Sequence, residues 1–462
     1  MLSLSLEEIA AAIDGEVVVG DKSQIVSGTV RTDSRLVQAG DLFFAKLGEK
    51  DDGHRFLQEI APLASLAVVS TPNLEIGLSQ IKVNDTVQAL SSLASYVLER
   101  VRAGGLKVVG ITGSNGKTST KNMLGAILTA EAKTVLPQDS FNNEVGLPLT
   151  VLKLEQDTKY LVLELGAAGL GSIDRLASWV KPDIAVVLKV GLAHVGEFGG
   201  IEVTAQIKAE LVKHATELVI LNQDDPYVRD FEVTGEVKRE SFGYSDDSDL
   251  KLLRVDVTAD GTVVTVRYAD SEEREFRLAI LGEHQAMNAA AALLTAEALG
   301  VQRSRAIAAL EKLEIAERWR MQPLKRPDGV LIINDAYNAS PDSMRAALQT
   351  LATIGRQGRR TVAVLGFMAE LGEFSAAEHH ALGLLVVRYN IDKLFVVGAD
   401  AKLLHLAATQ EGSWDGESEF FEDAELAFEP INAKLLPGDV VLVKSSNVSG
   451  LRFLGDQLAG VR

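Results

Sequence analysis

The 462-residue chain contains no cysteine. Disulfides, thiol nucleophiles and thiolate metal sites are therefore excluded, and a cytoplasmic location is expected. Positive charge is also short. There are 46 Lys and Arg against 64 Asp and Glu, a formal net charge of −18. So acidic a chain is a poor binder of nucleic acid or of an anionic membrane surface, and any anionic substrate must be held by local positive features. Long apolar runs are missing too. The alanine-rich stretch Ala289 to Leu299 is interrupted by Glu297 and falls short of the ~20 residues that a membrane-spanning helix needs, so no membrane insertion is expected. The N-terminus carries Glu7 and Glu8 but no basic region, which argues against a signal peptide. Ser5 and Glu8 instead fit a capping box that starts a helix. No repeat at solenoid periods and no low-complexity tract is found. What is present is a 47% hydrophobic content, ample for buried cores, on a length that allows roughly two to four domains.

The chain is organised around Lys107 to Met123, KVVGITGSNGKTSTKNM. Val108 to Ile111 is a β-branched run that reads as a buried strand. Gly113, Ser114, Asn115 and Gly116 form a loop, and a helix follows from Thr118. Strand, Gly-rich loop and helix N-terminus make an anion cradle, with backbone N–H groups turned inward and about half a positive charge from the macrodipole. Lys117 is placed to reach a terminal phosphate, and the Thr118 hydroxyl to ligate Mg²⁺. The strict P-loop pattern wants glycine where Ile111 stands, so the match is to a variant loop.

Before this loop, residues 1 to about 100 mix short strands and helices. Thr32-Asp33-Ser34-Arg35 can hold a phosphate or nucleotide sugar, or simply form a capped turn. A Gly-Gly linker at Gly104 and Gly105 marks a boundary. After the loop, apolar runs at Tyr160–Leu165, Ile184–Leu188 and Leu218–Leu221 alternate with helical segments, as a mostly parallel sheet requires. A hairpin is expected around Ala259-Asp260-Gly261, then a helix from about His284 to Leu299. Four further strands, Val330–Asn334, Thr361–Leu365, Lys393–Val397 and Val440–Lys444, with a helix at Pro341–Leu351, read as a second, smaller α/β unit.

Ligands in such sheets bind at the carboxyl edge of the strands. Glu164 ends a strand there and is a candidate Mg²⁺ ligand, or a solvated carboxylate. His194 lies on a Gly-rich loop at the same edge, which favours metal or phosphate binding. Lys208 reads as an ordinary helix lysine. Asn142 and Asn143 fit turn chemistry or phosphate donation. His284 and Asn288 share a helical face, where an amide could read an adenine edge or merely pack. Arg320 could clamp a γ-phosphate and Asp335 accept ribose hydroxyls, or both could lie at the surface.

Taken together, TGSNGKTS, NNEVGLP, LELGA, AHVGEFG, IKAEL, HQAMNAAAA, RMQ and DAYNASPDSM resemble the Mur ligases, ATP-dependent amide-forming enzymes of peptidoglycan precursor synthesis. VLGFMAELGE and DVVLVKSSN resemble the family's C-terminal domain, and TDSR, GDLFFA and DGH its UDP-substrate domain, so the likeness spans nearly the whole chain. Three domains are implied: a small α/β UDP-substrate domain at 1–103, a central P-loop-type ATPase domain with a mostly parallel sheet at 104–316, and a Rossmann-like α/β domain at 317–462. DAYNASPDSM and MAELGE are most similar to the branch that adds D-alanyl-D-alanine to UDP-N-acetylmuramoyl-tripeptide. The resemblance implies that Gly113, Ser114, Asn115, Gly116, Lys117, Thr118 and Ser119 cradle ATP. It places Thr118 on one Mg²⁺, and Glu164 and His194 on a second, beside a Lys208 carbamylated by CO₂. Asn288 would contact adenine, Arg320 the γ-phosphate and Asp335 the ribose. Ser34, Arg35, Asn142, Asn143, Tyr337 and Asn338 would serve substrate binding.

Two positions depart from the family pattern: Phe367 where aspartate is usual, and Trp319, before Arg320, where glycine is common. The implied chemistry is phosphorylation of a carboxylate to an acyl phosphate, then attack by an amine, in a monomer whose third domain closes onto the nucleotide. Three other readings remain: a ligase of the family that adds a single diamino acid or resembles folylpolyglutamate synthase, a P-loop NTPase or kinase without ligation, and an inactive binding protein.

Overall fold

Three large sheets follow one another along the chain in the computed structural model, which describes all residues except 49, 50, 139, 140, 194, 315, 316, 412, 413, 415 and 462. They stand beside a two-stranded pair of Leu4–Ser5 and Ile25–Val26. The first sheet has five strands in the order Glu16–Val19, Gln80–Lys82, Leu66–Val69, Leu42–Phe44 and Val30–Arg31. Its first pair is antiparallel and the rest are parallel. The helix Leu6–Ala12 begins with the expected capping box: Glu8 N–H donates to Ser5 Oγ at 3.1 Å, and Ser5 N–H donates to the Glu8 carboxylate at 2.8 Å.

The helix Thr86–Arg102 closes this part of the chain. Asp85 caps its start, and Leu90, Leu93, Ala94, Val97, Leu98 and Val101 are buried along one face, the spacing of an amphipathic helix. That face does not serve the first sheet alone. It packs on the helix Gly146–Val151, inside a core shared with the middle sheet.

The middle sheet has nine strands. Lys107–Thr112 lies between Tyr160–Glu164 and Ile184–Val187, parallel to both. Towards its other edge come the hairpin Leu250–Thr258 and Gly261–Tyr268, which turns at Ala259-Asp260 as expected, and then the edge strand Glu273–Leu278. The helices Lys117–Thr129 and Glu283–Ala298 pack against each other on one face. The second presents buried Ala286, Ala289, Ala290, Ala291 and Ala292, side chains small enough to let the backbones approach closely.

The third sheet has six strands, and four are those expected from the sequence. Gln322–Lys325 and Glu417–Phe421 were not expected, and they form its two edges. The first contains Pro323 and the second begins Glu-Ser-Glu. Proline and charge are what an edge strand tolerates and what hides it from an apolar pattern. Helices Pro341–Gly355 and Ser375–Arg388 cover one face, and Ala424–Lys434 and Leu451–Leu458 the other. One apolar core runs from the Glu283–Ala298 helix into the Pro341–Gly355 helix, so the second and third units are packed together rather than strung on a linker. Among the described residues, no helix is long and apolar enough to cross a membrane.

Candidate active site at the carboxyl edge of the middle sheet

The loop at residues 113–116 leaves a strand that lies third from one edge of the sheet, with a parallel neighbour on each side. Two glycines are required there. Gly113 has φ 152°, and a Cβ on it would lie 3.1 Å from Leu188 Cβ. Gly116 has φ 88°, and a Cβ would lie 2.4 Å from Asn288 Oδ1. Not every backbone donor of the loop faces a ligand. Ser114 N–H donates to Lys189 O at 2.7 Å, so that donor ties the loop to the next strand instead of joining the cradle. Lys117 bridges the loop, its Nζ donating to Gly113 O at 2.7 Å. Burial lowers its pKa; the Glu164 carboxylate opposes this, and the Arg320 cation adds to it.

Glu164 stands in register beside Ile111 and is fully buried. Its two oxygens accept from Thr118 Oγ1 and from Asn142 Nδ2, each at 3.0 Å. A carboxylate, a hydroxyl and an amide oxygen carrier clustered in this way are hard oxygen donors of the kind Mg²⁺ takes. Lys208 is 3% exposed. Its pKa lies well below the ordinary lysine value, first because of burial and then because of the Lys117 cation, with Glu210 and Glu164 opposing. A solvated helix lysine would not behave so. His194 lies outside the described residues, and among those described no three His, Asp or Glu side chains form a metal-sized cluster.

A cavity of about 690 Å³ opens over this edge. Residues 114–119, Asn142, Glu164 and Asn288 line it from the middle sheet, and Arg320, Asp335, Tyr337 and Asn338 from the third. The Asn288 amide already has partners: its Nδ2 donates to Gln285 Oε1 at 3.1 Å while its Oδ1 lies against Gly116. Arg320 lies over the Tyr337 ring at 4.3 Å and pairs with Glu317 at 3.3 Å. Asp335 accepts from Met321 N–H at 2.9 Å. Asn143 lies outside the cavity wall and caps a turn, accepting from Gly146 N–H at 2.9 Å. Ser34 and Arg35 are elsewhere, in a short 3₁₀ turn of the first unit, with Arg35 exposed and paired to Asp33 at 2.6 Å.

Several groups escaped the sequence reading. Lys444, 2% exposed, donates to Asp335 Oδ2 at 2.6 Å and to Asn338 O at 3.0 Å. Its place at the carboxyl end of a strand was the signal available. Asp342 accepts from Leu192 N–H at 2.9 Å, and Ser340 Oγ donates to Asn115 Oδ1 at 3.1 Å, so the start of the Pro341–Gly355 helix touches the phosphate-loop region directly. Gly196 and Gly372 meet backbone to backbone nearby, where a Cβ on Gly196 would lie 2.5 Å from Gly372 N. His284 is held neutral. Burial takes its pKa to about 4, the Asp335 carboxylate opposing and the Lys444 and Lys189 cations adding.

Sheet order, variant phosphate loop and two-walled cavity define a three-domain α/β protein of the P-loop type. Residues 111–296 match the Mur ligase middle domain and 319–447 the Mur ligase glutamate ligase domain. The chain belongs to the Mur ligase family. It is 38% identical to the UDP-N-acetylmuramoyl-tripeptide–D-alanyl-D-alanine ligase of Mycobacterium tuberculosis, over 99% of this chain and 98% of that protein. The crystal structure of MurF from Acinetobacter baumannii superposes with a TM-score of 0.88 at 30% identity, covering 100% of this chain and 99% of the other. MurF from Thermotoga maritima, solved in complex with ADP, gives a TM-score of 0.82 at 28% identity over 94% and 97% of the two chains.

Proposed function

We infer that this protein is an ATP-dependent amide ligase that adds D-alanyl-D-alanine to UDP-N-acetylmuramoyl-tripeptide in peptidoglycan precursor synthesis. One observation carries the chemistry. Lys117, Thr118 and Glu164 face Arg320 and Asp335 across a single cavity, so a triphosphate can be gripped from both sides. A carboxylate is a poor electrophile because its leaving group would be oxide. Transfer of the γ-phosphoryl group of ATP to it releases ADP and gives an acyl phosphate. The amine of the dipeptide then attacks the acyl carbon, and phosphate leaves as the amide forms. Charge gathers on phosphoryl oxygens and on the oxyanion, where fixed cations act most strongly.

In this reading Gly113 to Ser119 cradle the phosphates, with Lys117 on the terminal ones. Arg320 meets the γ-phosphate, Asp335 the ribose and Asn288 the adenine. Ser34, Arg35, Asn142, Asn143, Tyr337 and Asn338 serve the acceptor and donor substrates. Thr118 would hold one Mg²⁺, and Glu164 with His194 a second; when bound, these ions neutralise charge on the transferred group. Burial lowers the Lys208 pKa well below the ordinary lysine value, which favours the neutral amine that attacks CO₂, and the neighbouring cations would hold the resulting carbamate. The reading takes the domains as 1–103, 104–316 and 317–462, in a cytoplasmic monomer whose third domain closes over the nucleotide and keeps water from the acyl phosphate.

The test is an assay with ATP, UDP-N-acetylmuramoyl-tripeptide and a panel of amino donors. ADP and phosphate released in step with product, with D-alanyl-D-alanine and not with single amino acids, is the expected result. Equal ATP turnover without any donor would overturn it. Lys208→Ala is expected to lose activity and regain part of it in short carboxylates; no recovery removes the carbamate from the mechanism.

A further inference from the structure

Arg320 sits on an unusual piece of backbone. Trp319 and Met321, on either side of it, both have positive φ, 59° and 49°. Bulky side chains avoid this region, so something must hold the turn.

The hydrogen bonds identify what does. Trp319 N–H donates to Gln322 Oε1 at 3.0 Å, and Trp319 O accepts from Tyr337 N–H at 3.1 Å. Met321 N–H donates to Asp335 at 2.9 Å. These bonds join the turn to its own sheet. The anchor to the body of the third unit is the Trp319 side chain. Its indole Nε1–H lies 3.1 Å from both oxygens of Asp456, a carboxylate 2% exposed on the helix Leu451–Leu458. Asp456 also accepts from Asn334 Nδ2 at 3.0 Å and from Arg318 at 2.9 Å, so it is itself immobilised. The indole packs edge-on to Phe453 at 5.9 Å, under the Arg318 and Arg452 cations at 4.6 and 5.3 Å. Trp319 faces away from the cavity wall, and Arg320, the next residue, forms part of it.

We propose that Trp319 is a positioning residue for the ligation reaction: its bond to Asp456 locks the left-handed turn that aims Arg320 at the nucleotide and makes Arg320 move as one with the third domain. This rests on the placement of Arg320 at the γ-phosphate in the proposed function. Glycine at 319 would suit the backbone but would leave Arg318 as the turn's remaining side-chain bond to Asp456.

The test uses the full chain and measures kcat and KM for ATP in Trp319→Phe, Trp319→Gly, Arg320→Ala and Trp319→Phe/Arg320→Ala. Trp319→Phe keeps a ring but loses the donor. Trp319→Gly removes the anchor at a φ glycine adopts freely, so it is the variant that folds if the first does not. Each is expected to lower kcat/KM for ATP by about tenfold, the scale of one hydrogen bond to a charged group. In the Arg320→Ala background the same change is expected to cost less than about twofold, because an aim is lost only where there is something to aim. Wild-type kcat/KM in both Trp319 variants overturns the proposal, and so does an undiminished loss without Arg320, which would mark Trp319 as a general stabiliser. If Arg320→Ala itself matches wild type, it is the placement of Arg320 at the nucleotide that fails.

Discussion

The two walls of the cavity are built differently. The middle-sheet wall takes its longest continuous piece, residues 114–119, from one loop and helix start, and the rest from neighbouring strand ends and the start of the Glu283–Ala298 helix. Backbone geometry does most of the work: two glycines at positive φ, a helix N-terminus, and a carboxylate whose oxygens are pinned by Thr118 and Asn142. The opposite wall has no such continuity. Asp335 and Lys444 are 109 residues apart in sequence yet 2.6 Å apart in space, and Arg320 depends on a turn fastened to Asp456. A cradle for fixed charge can be carried by a short stretch of backbone. A wall supplied by a second domain must be assembled from side-chain pairs, and its failures should therefore show in stability as well as in rate.

The sharpest contrast is between Lys117 and Lys444. Lys117→Ala is expected to cut turnover on the order of 10³-fold, the scale of removing a fixed charge from developing phosphoryl charge, with little change in the urea midpoint; retained turnover would take the loop out of the mechanism. Lys444→Ala should instead unfold more easily by about 1–3 kcal/mol, because it leaves the partly buried Asp335 carboxylate without its cation. Urea titration checks this, and the paired change Lys444→Met/Asp335→Leu should recover most of the loss. A full loss in the paired variant would mean that the apolar pair cannot fill the site.

His284 separates the walls by pH. Its folded pKa of about 4 lies below the ordinary 6.5, so between those values the unfolded chain binds more protons. Stability is complete above pH 6.5 and falls as the pH drops towards 4, by up to about 3 kcal/mol. His284→Asn should flatten that slope, and an unchanged slope would place the titration elsewhere. The smallest effect belongs to Ser340, which caps the Pro341–Gly355 helix and touches Asn115. Ser340→Ala should cost about 1 kcal/mol, with a modest rise in KM for ATP that an isolated cap elsewhere would not produce.

Much of the first wall was legible in residue order. Lys107 to Thr129 follows the expected strand, loop and helix, and Glu164 ends its strand beside the loop. The hairpin at Ala259-Asp260 and the capping box at Ser5 were legible for the same reason, since turn and cap chemistry act over two or three residues. Lys208 was not. Residue type and helical spacing describe a solvated lysine, and only burial beside Lys117 and Glu164 gives it another character. Two edge strands were hidden by Pro323 and by Glu417 and Glu419, which break the apolar pattern because edges face water.

Local order along the chain thus determined the cradle, the alternation of strands and helices, and the family likeness. Those features rest on backbone torsions and on contacts between near neighbours. Tertiary structure alone decided which distant groups share the cavity, that Lys444 holds Asp335, and that Trp319 answers to Asp456. Desolvation and pairing across a hundred residues depend on where the domains meet, and no stretch of sequence carries that information by itself.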